Sequence, residues 1–289
     1  MRRLIILLTL FAALALIAAA CGGDDEPETT FTPIPGNSEL IVGANRFAVG
    51  LIDKDNQPVL EAPGTSLHLR FFFEEELAFE QDAGFTWAIP DVNGFWVANI
   101  DFDQAGTWEA EAVLTRDGDE TKVSFVFPVL AEGNAPAVGD PAPPTKNLTL
   151  QLEPNVRKIS TDEEPDPAFY QMNVAQALQA GKPFVVVFAT PAFCQTQFCG
   201  PVVENVREVK AEFAADVNFI HIEPYGLDDE GQLLTAEGGG PVVVQAMNDW
   251  HLQTEPWVFI VDADGRIAAR FEGAASPEEL REAIRGVVS

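Results

Sequence analysis

The stretch from Pro183 to Arg207 constrains this chain most. It opens with the apolar run Phe184-Val185-Val186-Val187-Phe188, which predicts a strand buried on both faces. It closes in a helical pattern, with Val202, Val203, Val206 and Val209 on one side. Between the two stand Cys194 and Cys199; the other cysteine of the chain is Cys21. A helix N-terminus carries partial positive charge and stabilises a thiolate. A strand feeding a helix through a turn with two thiols is therefore well placed for thiol chemistry.

Geometry limits what that turn can be. If residues 194–199 were regular helix, the two Cα atoms would lie roughly 8.7 Å apart, whereas a disulfide needs less than about 7 Å. An oxidised pair therefore requires a non-helical turn, and a helical first turn is expected only in the reduced state. Pro201 reads as a kink proline that removes one backbone bond from the following helix.

The downstream order is legible. Asp166-Pro167 is a cap and first-turn proline for a helix running to about Ala180, stopped by Gly181. The strand Phe184–Ala189 and the cysteine turn follow, then a helix to about Phe213 and a strand from Val217 to Ile222. Gly226 to Gly240 is a polar, glycine-rich surface insertion. A helix near Val242–Trp250 leads to Pro256 and the strand Trp257–Val261. Asp262-Ala263-Asp264-Gly265 turns into Arg266–Phe271, and Ser276-Pro277-Glu278-Glu279 is a capping box for a last helix. The order predicts a mixed sheet with helices on both faces.

This half resembles the thioredoxin superfamily. The resemblance rests on the strand, the cysteine turn and Thr254-Glu255-Pro256-Trp257-Val258-Phe259-Ile260-Val261-Asp262. It implies an α/β thioredoxin-like fold over 138–289, with Pro256 in cis facing Cys194 and Cys199; thioredoxin-like turns reach their attacking cysteine within about five residues of the strand end, which implies Cys194 as the attacking thiol and Cys199 as the resolving one. The four residues between the cysteines are the spacing of the Q-type peroxiredoxins, whose motif is similar to Thr190-Pro191 through Cys194 and on to Cys199-Gly200. Val138-Gly139-Asp140-Pro141-Ala142-Pro143 resembles the lead-in of exported thioredoxin-like domains.

Toward the N-terminus, Arg2-Arg3 precede an apolar run from Leu4 to Ala20 that ends at Cys21, the pattern of an export signal over 1–20. Ala19-Ala20-Cys21 resembles the lipobox of bacterial lipoproteins, which implies lipid on Cys21 and a membrane-anchored, extracytoplasmic protein. Residues 21–37 read as a flexible tether. The formal net charge of −28 opposes nucleic acid and anionic headgroups as partners.

Residues 38–131 alternate apolar and polar side chains in six or seven short strands, which suggests an all-β immunoglobulin-like sandwich. Gly94–Ala98 through Ala105–Trp108 is similar to exported YtkA-like and FixH-like domains. His68 lacks companion ligands, Glu74-Glu75-Glu76 reads as a solvated loop, and Trp96 and Trp108 read as core. A linker at 132–137 separates two domains expected to fold independently.

The cysteine pair has several possible uses. Thiol–disulfide exchange with protein thiols or disulfides is the leading one, with no cofactor and a redox partner the sequence does not name. Peroxide reduction is a second, weakened by the absence of arginine from His251–Pro256. Copper delivery, implied by another family of this fold, would require His221 or His251 beside the thiols. An inert structural disulfide in a non-catalytic adaptor is the remaining alternative.

Overall fold

The computed structural model describes residues 31–194 and 196–288. The leader and Cys21 lie outside the described residues. Among the described residues no helix is long and apolar enough to cross a membrane.

Strands β1 (Phe31–Pro35), β2 (Gly43–Asp53), β3 (Thr65–Phe73), β4 (Glu76–Ile89), β5 (Asn93–Phe102), β6 (Gly106–Arg116) and β7 (Asp119–Val129) make the first domain. Their period-two pattern decides the packing. Leu67, Leu69 and Phe71 on β3, and Trp108, Ala110, Ala112 and Leu114 on β6, all point inward and are buried. Phe47, Phe71, Phe102 and Phe127 meet at the centre, Phe47 and Phe71 edge-on with centroids 5.2 Å apart. Trp96 and Trp108 are buried in the same core. Two-residue turns close the hairpins: Glu74 and Glu75, or Asp117 and Gly118, take the left-handed φ that such turns require. His68 lies between Asp82 and Glu80, its Nδ1 2.7 Å from the Asp82 carboxylate, and that hydrogen bond raises its pKa.

Two expectations change here. The strands join in one sheet, β1-β2-β5-β4-β3-β6-β7, rather than in two separate sandwich layers. The reason is β4, whose first half pairs with β3 and second half with β5. The sheet curls until its edges approach, Val42 and Leu130 exchanging backbone bonds with Leu130 and Leu40, so it is close to a barrel. Within the stretch expected to be a tether, Phe31–Pro35 instead pairs with β2, and Phe31 is buried in the core.

The second domain contains α1 (Val174–Ala180), β8 (Phe184–Phe188), α2 (Cys199–Phe213), β9 (Asn218–Ile222), α3 (Gln245–Asp249), β10 (Trp257–Val261), β11 (Ile267–Glu272) and α4 (Pro277–Val288). The sheet order is β11-β10-β8-β9, with β8 and β9 parallel and the other pairs antiparallel. Every residue of β8 is buried, since both faces are covered. Val185 and Val187 pack with α2 and α4; Phe184, Val186 and Phe188 pack with α1, α3 and Trp250. Burying each such side chain contributes about 1.5–3 kcal/mol. The Ser276–Glu279 capping box opens α4 as expected.

The helix expected over 166–180 is broken. Asp166 caps only a short 3-10 turn, Pro167–Tyr170. The chain then restarts at Asn173, whose side chain accepts from Gln176 N–H while the Gln176 side chain accepts from Asn173 N–H. That reciprocal box opens α1, and Gly181 closes it at φ 60°. Asn173→Ala is expected to lower stability by about 1 kcal/mol, measured by urea unfolding. The insertion at 226–240 folds back on itself through bridges Leu227–Leu233 and Thr235–Pro241.

The two domains keep separate cores and meet through charged side chains. Arg46 of β2 grips Glu279 of α4 through Nε and Nη2, at 2.6 and 3.2 Å. Arg270 of β11 donates to Glu39 at 3.1 Å, both side chains largely shielded from solvent. The linker docks as well: Gly139 and Asp140 exchange backbone bonds with Ile267.

Candidate redox site

The pairing of Trp257 with Phe188 sets the site. It places the Glu255-Pro256 peptide beside the end of β8 from which the cysteine loop departs. That peptide is cis. Cys194 and Cys199 are joined as a disulfide with Cα atoms 5.9 Å apart. Helix α2 begins only at Cys199, as the distance argument demands for the oxidised pair. Pro201 falls in the first turn, where no N–H is needed for the helix ladder. It therefore removes no backbone bond, contrary to the kink expected from sequence.

The two sulfurs are unequal. Cys199 is fully buried among Val202, Val203 and Val206, while Cys194 is only partly buried. The N–H of Cys199, first residue of α2, points at Cys194 Sγ at 3.2 Å, and Thr196 Oγ1 lies 3.3 Å from the same sulfur. Phe198 at the N-cap offers no side-chain acceptor, so these helix-end donors remain for Cys194. The arrangement can stabilise negative charge on Cys194 and not on Cys199.

His221 anchors the end of β8. Its Nε2 donates to the Ala189 carbonyl at 2.9 Å, and Tyr170 OH donates to Nδ1 at 2.8 Å. Burial pushes its pKa down to about 4, so it stays neutral. Both ring nitrogens are occupied, which makes it a core histidine rather than a ligand beside the thiols. His251 is exposed just after α3, at φ 53°, and its N–H closes on the Asn248 carbonyl.

Sequence reading missed a buried acid behind the loop. Glu223 directly follows β9 and is 5% exposed. Thr161 donates to its Oε2 from N–H at 2.9 Å and from Oγ1 at 2.8 Å. Thr161 Oγ1 in turn accepts from Ala192 N–H in the cysteine loop. The Thr190 hydroxyl stands beside the carboxyl without the alignment of a full hydrogen bond. Burial pushes the Glu223 pKa up to about 7; the two threonines pull it down, and the Glu255 charge pushes it up again. Glu255 itself accepts from Tyr225 OH at 2.9 Å. The available signal was an acid closing the apolar strand Phe219-Ile220-His221-Ile222. Thr161 carried none, because its partner is 62 positions away. Among the described residues no cluster of three or more His, Cys, Asp or Glu has metal-site geometry.

Residues 170–287 match the family profile of a thioredoxin-like domain. No curated protein matches the chain. Among solved structures, a thioredoxin-family thiol:disulfide interchange protein from Chlorobium tepidum TLS is 17% identical, covering 54% of this chain and 100% of that one. Its TM-score of 0.35 is too low to bear on fold or activity. The second domain is thioredoxin-like, and the first is an all-β domain.

Proposed function

We propose that the chain is a thiol–disulfide oxidoreductase that acts through Cys194 and Cys199 and is held to a membrane by lipid on Cys21, on the extracytoplasmic side. The observation that carries the reading is the unequal pair: a partly exposed Cys194 facing helix-end donors, bonded to a buried Cys199. In the reductive direction the Cys194 thiolate attacks one sulfur of a partner disulfide. The partner's other sulfur leaves as a thiolate and takes a proton. Cys199, losing its proton, then attacks Cys194 Sγ and expels the second partner thiol. Two electrons pass to the partner, and the chain is left with its disulfide. The oxidative direction is the reverse. Pro256 sits beside the loop as the surface against which a partner chain would lie.

The anchoring part rests on the leader pattern, and on the similarity of Gly94–Ala98 through Ala105–Trp108 to exported YtkA-like and FixH-like domains. Cys21→Ser is expected to release the protein from membranes or block its processing; unchanged fractionation and mobility would remove the anchor from the proposal. The exchange part is tested by equilibrating the pair with glutathione. A reduction potential in the range of about −120 to −270 mV fits an exchange catalyst, and one below about −300 mV marks an inert structural bond.

A further inference from the structure

Phe198 lies between the two cysteines in sequence and packs against the first domain. Its ring meets Phe95 of β5 at 67°, centroids 5.3 Å apart. Phe95 is backed by main chain rather than by mobile side chains: a Cβ on Gly36 would come within 3.0 Å of its ring, and one on Gly50 within 3.8 Å. The first domain touches the other loop of the site as well. Ser38 N–H donates to Glu272 at 2.8 Å, and Ser38 Oγ lies 3.4 Å from Thr254 Oγ1, two residues before Pro256. The Gly36 carbonyl lies beside Gly273, whose N–H donates to the Pro256 carbonyl. Both loops that frame the thiols thus carry first-domain contacts, and the Arg46–Glu279 and Arg270–Glu39 pairs hold the domain there. A different face stays open: a cavity of about 520 Å3 bordered by Thr161, Asp162, Ala192, Phe193 and Gly231 reaches the residue preceding Cys194.

We propose that the all-β domain forms one wall of the cleft leading to Cys194, and that Phe95 is a specificity-determining residue which admits thiols or disulfides on extended chains and excludes those on folded surfaces. This builds on the exchange reading above. A folded partner brings a contact face of about 800 Å2, which collides with the docked domain. An extended chain is about 5 Å wide in the sheet plane and fits along the open side.

The test uses the reduced full chain and two activated probes. Each is a thionitrobenzoate mixed disulfide, one on a cysteine of an unstructured peptide and one on a surface cysteine of a folded globular carrier. Cys194 thiolate attacks the carrier sulfur, a new disulfide forms, and yellow thionitrobenzoate leaves; the rate missing in Cys194→Ser belongs to Cys194. The peptide is expected to react at least about tenfold faster than the folded carrier. In Phe95→Ala the ratio of carrier to peptide rates rises by about tenfold, and Arg46→Ala, which loosens the docking away from the cleft, moves it the same way. Equal rates for the two probes in the parent, or a ratio unchanged in both variants, overturns the proposal. The assay reads access to Cys194 whether or not the pair cycles, so failure of the exchange reading shows separately in the reduction potential.

Discussion

Cys199→Ser is expected to accumulate a mixed disulfide with partner protein through Cys194, and Cys194→Ser to trap nothing and to lose exchange activity by at least about a thousandfold. The asymmetry follows from burial and from one hydrogen bond. Only Cys194 is reachable from solvent, and only its sulfur faces the N–H at the start of α2. A thiolate there gains from the helix end, whereas a charge on Cys199 would sit among valines. With Ser at 199 the second attack has no nucleophile, so the first covalent product persists. Non-reducing gels followed by mass spectrometry of the adduct read the result. Trapping through Cys199 in the Cys194→Ser variant would reverse the assignment.

Glu223→Gln is expected to stabilise the protein by about 3 kcal/mol at pH 8 and by nothing below about pH 4.5. The carboxyl titrates at about 7 in the folded chain against an ordinary 4.5, because burial disfavours its charge. As pH rises the unfolded state loses this proton first. Its contribution to stability is therefore full below about 4.5, declines up to about 7, and is flat above. Glutamine keeps an acceptor for the two Thr161 donors and can offer a donor toward Thr190 Oγ1, without ever becoming charged. His221 contributes the opposite slope. Its pKa falls from 6.5 to about 4 on folding, so its contribution is present above 6.5 and lost as pH drops toward 4. The variant should thus show stability rising with pH between 4 and 6.5, where the parent profile is flattened by the two opposing terms. Urea unfolding across this range decides it; parallel profiles for parent and variant would mean Glu223 is not the titrating group.

Much of this was set by local pattern. Phe184–Phe188 has to be a doubly covered strand, because no residue in it can face water cheaply. The alternation in β3 and β6 dictates which side chains face inward, since the strand period is two wherever the strand goes. Once the two thiols are bonded, the disulfide distance limit forbids a helix across 194–199, and α2 starts where that limit allows. The Ser276 capping box and the Gly181 stop are likewise local chemistry.

What pattern could not decide depends on partners distant in sequence. Whether the β strands form two layers or one curled sheet turns on β4 bending to pair with both β3 and β5, and residues within β4 alternate the same way in either case. Glu223 looks like any acid after a strand until Thr161 and the cysteine loop bury it, and burial is what moves its proton. Phe95 and Phe198 are ordinary aromatics 103 positions apart that acquire meaning only where two domains bring them to 5.3 Å. Periodicity and capping act over a few residues, so the sequence alone determined most of the elements. Desolvation and domain docking are collective and act across the folded chain, so only the tertiary structure decided what surrounds the thiols.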